Sequence, residues 1–108
     1  MKVLFICNQN KHRSKTAEEL FRGKFETKSA GLYNETPVNE NELEGADLIA
    51  VMEDFQREEL GKRFPKQYMK KRIISLNVPD VYSFNQPELI KILNLKVRTL
   101  VEPILQLS

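Results

Sequence analysis

Hydrophobic positions fall along this chain in two rhythms. Val3 to Ile6 is an unbroken apolar run of strand length, the pattern of a strand covered on both faces, and "DLIAVM" at 47 to 52 repeats it. "RIISL" at 72 to 76 predicts a further strand, and Lys28 to Ala30 a shorter one closed by Gly31. Between these runs the spacing becomes helical. Ala17, Leu20, Phe21 and Phe25 predict a helix whose start is open between Ser14 and a Thr16–Glu19 capping box. A second helix runs through Leu60, where Gly61 is placed for a left-handed C-cap. Asn85 to Glu88 reads as a capping box with Pro87 in the first turn, opening an amphipathic helix striped by Leu89, Leu93, Val97, Leu100 and Ile104. Pro103 should kink or fray its last turn. Residues 33 to 45 read as polar loop with room for one helical turn.

Strands alternating with helices imply right-handed crossovers and a parallel sheet. The expected fold is therefore α/β: one three-layer domain over 1–108, a four-stranded parallel sheet with helices on both faces. Such sheets bind ligands at the carboxyl ends of their strands. Cys7 lies at one such end, and Asp80 just past another.

Composition narrows this reading without redirecting it. Hydrophobic content of 41% and charged content of 30% are ordinary for a globular chain. A single cysteine excludes an internal disulfide and points to a reducing compartment. The opening MKVLFIC turns polar too soon for a signal peptide, and no run approaches membrane-spanning length, so the expected location is the cytoplasm. Charge is segregated: seven acidic and no basic residues lie from Ser29 to Gln56, six basic and no acidic from Lys62 to Arg72. The basic stretch, interleaved with Phe64 and Tyr68, raises contact with nucleic acid or an acidic partner. At a net charge of +2 a solvated loop is the preferred reading, and nucleic acid is not an expected partner.

The stretch "VLFICNQNKHRSKTAEELF", residues 3 to 21, carries the only cysteine and the only histidine. Its loop joins a strand to a helix N-terminus, where unpaired N–H groups and the helix dipole favour negative charge. Arg13 adds a planar, two-pronged donor. Such surroundings stabilise a thiolate, so Cys7 beneath a bound anion is placed to attack a phosphate ester. Residues 7 to 16 contain no glycine and no Gly-Lys-Ser/Thr, so ATP is not implied. Free cysteines are often plain core residues. The placement after a buried strand and before a helix favours the functional reading.

This stretch resembles the signature of the low-molecular-weight protein tyrosine phosphatases, Cys-x5-Arg-Ser/Thr near the amino terminus. "KSAGL" is similar to that family's second strand and turn, "ADLIAVMEDFQREEL" to its third strand and helix, and "VPDVY" to its acid loop. The resemblance implies Cys7 as nucleophile, Arg13 as binder of phosphoryl oxygens and Asp80 as general acid. It implies that Ser14 donates to the thiolate and Asn10 holds the loop's shape, with Asn8, Gln9, Lys11 and His12 completing the loop. Gln9 stands where the family often has glycine, and Pro79 precedes Asp80 where the family's proline follows its acid.

Asp beside Pro is also a common turn residue; Tyr82 two residues on favours the acid role, and Glu53 or Asp54 would be next in line. His12 is expected at the rim, and one Cys with one His is too few for a metal site, so neither metal nor other cofactor is expected. Tyr33 and Tyr82 are candidate walls for an aryl phosphate, or half-buried tyrosines with no such role. The expected activity is metal-independent hydrolysis of a phosphotyrosine protein or a small aryl phosphate through a phosphocysteine. Two alternatives stand beside it: arsenate reduction with an external thiol, and a non-catalytic phosphate-binding or phospho-carrier module. The sequence leaves the oligomeric state open.

Overall fold

The computed structural model describes residues 1–106. Strands β1 (Lys2–Cys7), β2 (Glu26–Gly31), β3 (Leu48–Val51) and β4 (Ile73–Ser75) form one sheet in the order β2-β1-β3-β4, every pairing parallel. The alternation of side chains along β1 divides the core in two. Val3, Phe5 and Cys7 join Leu48, Ala50 and Met52 on one face. They pack under α1 (Arg13–Phe21) and α5 (Pro87–Lys96). Leu4, Ile6, Ile49 and Val51 turn to the other face, covered by Leu43 of α2 (Glu40–Gly45) and Leu60 of α3 (Asp54–Arg63). Phe5 stacks on Phe21 at 6.2 Å and Phe21 on Phe25 at 5.8 Å, which locks α1 against β1. Truncating a buried phenylalanine such as Phe5 to alanine costs about 3–5 kcal/mol. The expected three-layer arrangement is the observed one.

The helix ends depart from the sequence reading, each for a physical reason. Neither Ser14 nor Thr16 caps α1: the helix begins at Arg13 behind His12, and both hydroxyls serve tertiary contacts instead. Gly61 does not end a helix either. α3 continues to Arg63 and stops because Pro65 forces Phe64 out of helical geometry. A Cβ at Gly61 would lie 3.2 Å from the ring of Tyr68, so the glycine makes room for the next helix. That helix, α4 (Pro65–Lys70), occupies the stretch read as a solvated basic loop. Its charges meet the acidic segment: Lys70 pairs with Glu44 at 3.0 Å, Gln67 donates to the same carboxylate, and Lys71 donates to the Glu44 and Ala46 carbonyls.

Helix α5 starts at Pro87 as the pattern requires, but Asn85 is not its cap. Asn85 sits at φ 57 in the left-handed region, outside cap geometry, and Gln86 takes the flanking position. No break occurs at Pro103. The five residues Val97–Val101 form a π-helical turn, and α6 (Glu102–Gln106) continues beyond it. Proline supplies no N–H and crowds the carbonyl one turn back; widening the turn ahead of it absorbs both defects. The extra residue shifts the stripe, so Val101 enters the core and Leu100 is left exposed.

Candidate active site

Because all four strands run parallel, their carboxyl ends gather at one edge of the sheet, and β1 delivers Cys7 there. A cleft of about 470 Å³ opens above it, lined by Cys7, Asn8, Gln9, Lys11, His12 and Arg13 on one side and Asp80 to Ser83 on the other. The loop between Cys7 and α1 is held from behind. Asn8 accepts at its carbonyl from the N–H groups of Leu32 and Tyr33, and at Oδ1 from Gln56 Nε2 at 3.0 Å. Gly31 allows the close approach: a Cβ there would lie 2.6 Å from Asn34 Oδ1 and 3.0 Å from the Asn10 nitrogen.

Within the loop the left-handed residue is Asn10, at φ 52, a conformation asparagine tolerates. Gln9 is not in that region, so a side chain at this position carries no backbone strain. Ser14 Oγ lies 3.0 Å from Cys7 Sγ and donates to Asn10 Oδ1 at 2.7 Å. Among the described residues, no N–H from Gln9 to His12 has an acceptor. The loop thus presents unpaired donors beside a buried thiol at a helix N-terminus, a setting that favours a bound anion.

Arg13 is almost wholly buried, which requires satisfied charge. Its Nη1 donates to Glu53 Oε1 at 2.6 Å and to the Val78 carbonyl at 2.7 Å, while Asp80 Oδ1 lies 3.7 Å from Nε. None of these three takes Nη2. The guanidinium is therefore oriented by residues from the ends of β3 and β4. Gln56 completes the frame, accepting at Oε1 from Met52 and Glu53 N–H groups.

Asp80 stands at the cleft mouth with its side chain exposed, on a segment tied at both ends. Leu76 and Val78 donate to the Val51 and Met52 carbonyls. At the far end Phe84 N–H donates to His12 Nδ1 at 3.1 Å, and Asn85 N–H to Thr16 Oγ1 at 3.0 Å. His12 lines the cleft, with its acceptor nitrogen turned to this segment rather than to the sulfur. Tyr82 also lines the cleft. Tyr33 does not: its ring lies against the Arg63 guanidinium at 4.9 Å, away from the cleft lining, which corrects its expected role as a wall. Asp54 pairs with Arg57 on the outer surface.

Gln56 and Val78 are the residues that sequence reasoning missed in this frame, and Glu53, read there only as a reserve acid, is the carboxylate that holds Arg13. The available signal was Glu-x-x-Gln directly after the second apolar run, a capping-box pattern that falls on the same sheet edge as Cys7. Among the described residues no group of three or more His, Cys, Asp or Glu is placed to hold a metal ion, and no helix is long and apolar enough to cross a membrane.

A four-stranded parallel sheet in the order β2-β1-β3-β4 with helices on both faces defines a class of fold, and solved structures share it. Their fold is that of the low-molecular-weight protein tyrosine phosphatases, and this chain has the same fold. The phosphatase of that name from T. tengcongensis is 22% identical and superposes with a TM-score of 0.77, covering 98% of this chain and 99% of its own. The tyrosine phosphatase Wzb from Escherichia coli K30, solved with phosphate, is 19% identical with a TM-score of 0.75, over 91% and 94% of the two chains. The arginine phosphatase YwlE, in a mutant with a phosphorylated active-site serine in place of cysteine, is 19% identical with a TM-score of 0.73, over 94% and 97%. No protein-family model and no curated protein matches the sequence.

Proposed function

We propose that the chain is a metal-independent, cysteine-dependent phosphomonoesterase acting on phosphotyrosine through a phosphocysteine, in the cytoplasm. The observation that carries this is the assembly on one loop of Cys7 Sγ, the Ser14 hydroxyl 3.0 Å from it and the oriented Arg13 guanidinium, with Asp80 across the cleft. The phosphoryl group sits on the loop N–H donors and Arg13, which stabilise the equatorial oxygens as charge spreads over them. Sγ attacks phosphorus, and the ester oxygen departs with the proton of Asp80. Water then attacks the phosphocysteine, the Asp80 carboxylate takes its proton, and phosphate and the thiolate are released. The phosphorylated serine of the YwlE mutant supports a covalent step at this position of the fold.

Hydrolysis of para-nitrophenyl phosphate, phosphotyrosine and phosphoarginine, set beside reduction of arsenate with added thiol, tests the reading. Turnover of the aryl esters is expected, with Cys7→Ser inactive yet still binding vanadate through the loop and Arg13. Undiminished aryl phosphatase activity in Cys7→Ser would remove the mechanism. Arsenate reduction without ester hydrolysis would transfer the site to the alternative chemistry.

A further inference from the structure

Beside the catalytic cleft lies a second groove of about 430 Å³, lined by Asn10, Lys11, His12, Lys15 and Phe84. It shares Lys11 and His12 with the cleft, so the two are neighbours across one rim. Its contents are unusual for the start of a helix. Lys15 stands in the first turn of α1, which holds no acidic residue, and Lys11 lies just ahead of it. Cations there oppose the helix dipole and lose stability by it. Neither lysine has an ion-pair or hydrogen-bond partner among the described residues. The nearby carboxylates of Glu53 and Asp80 both face Arg13 instead. Phe84, a residue about 41% exposed, completes the groove, although its backbone is fixed by His12.

We infer that this groove selects phosphotyrosyl peptides carrying an acidic residue close to the phosphotyrosine. The inference rests on the phosphatase reading and names its substrate class. With the phosphoryl group on the Cys7 loop, a substrate confined to an aryl ring ends in the cleft beside Tyr82. Only a chain extending from that ring crosses His12 into the groove. There the two lysine ammonium groups give a positive field, complementary to Asp or Glu. The face of Phe84 covers the aliphatic part of the same side chain or its backbone.

The test compares kcat/KM for phosphotyrosyl peptides whose flanking residues are Glu or Gln, with para-nitrophenyl phosphate as a substrate that cannot reach the groove. The glutamate peptides should be favoured by about 1.5-fold to fivefold at low ionic strength, the range of an exposed ion pair. The preference should shrink as salt is raised. Lys15→Glu should abolish or invert it while para-nitrophenyl phosphate turnover stays at the wild-type rate, which also reports correct folding. Lys15→Gln should give an intermediate preference. Equal rates on the two peptide sets, or a preference unmoved by Lys15→Glu, would overturn the inference and leave the phosphatase reading intact. A wild-type chain inert toward every aryl phosphate would remove both.

Discussion

Ser14 has a single hydroxyl proton, and two neighbours compete for it. With Cys7 as a thiol, the chain runs from S–H to Ser14 Oγ and from Ser14 to Asn10 Oδ1, as the 3.0 and 2.7 Å contacts allow. With Cys7 as a thiolate, the hydroxyl must turn to sulfur, and Asn10 keeps its contact only by presenting Nδ2 to Ser14 Oγ. Ser14→Ala should therefore slow turnover while leaving vanadate binding on the loop donors, measurable by parallel kinetics and titration. Arg13 poses the opposite problem, a buried cation fixed by acceptors from elsewhere. Glu53→Gln leaves it short of a charge partner and should cost about 1–3 kcal/mol by denaturant melts, with weakened phosphate binding. An unchanged phosphate affinity in that variant would show that Val78 and Asp80 suffice. Cys7, Arg13 and Ser14 were legible because their relation is local, set by spacing in one loop. Glu53 and Val78 lie 40 and 65 residues from Arg13; Glu-x-x-Gln marks a helix start at Glu53 without naming Arg13 as its partner, and nothing local marks the Val78 carbonyl.

The segment between β4 and α5 has no regular structure, yet four backbone donors pin it, two onto the strand ends and two onto His12 and Thr16. His12 thereby positions Asp80 through the segment that carries it. Asp80→Asn should lower the rate with poor leaving groups by about a hundredfold, and less with good ones that depart unprotonated. His12→Ala should follow the same leaving-group slope with a smaller loss, and His12→Asn, which keeps an acceptor near Nδ1, should recover most of it. A uniform loss across the series would make His12 merely a wall. Elsewhere, α2 and α4 meet through Glu44, whose carboxyl is held below the usual carboxylate range, first by its hydrogen bond to Lys70 and then by Gln67. A depressed folded-state value means this link is present above the unfolded value and is lost as pH falls through the folded one. Glu44→Gln should thus melt slightly earlier than wild type at neutral pH, with the difference closing as pH falls below the ordinary glutamate value, read by thermal melts. The sequence reading missed α4 because the stretch lacks an apolar stripe. Its reason to form lies in Pro65 at its start and in acidic groups some 25 residues away. The π turn was likewise hidden, since spacing alone cannot say whether a helix gains a residue before a proline.

At the scale of the molecule, the sheet was readable because strands buried on both faces write continuous apolar runs, whatever their neighbours. Its polarity does more than gather the catalytic groups. The strand amino ends form the opposite edge, where Met1 accepts from Glu26 N–H and the Lys2 N–H donates to Asp47. Chemistry and residue 1 are thereby set a strand's length apart, on opposite rims of one sheet. A linker attached at residue 1 would leave that rim without passing the cleft. Fixed to a sensor surface by that linker, every copy would turn its Cys7 loop toward the solution. Captured substrate would then be read from molecules facing one way.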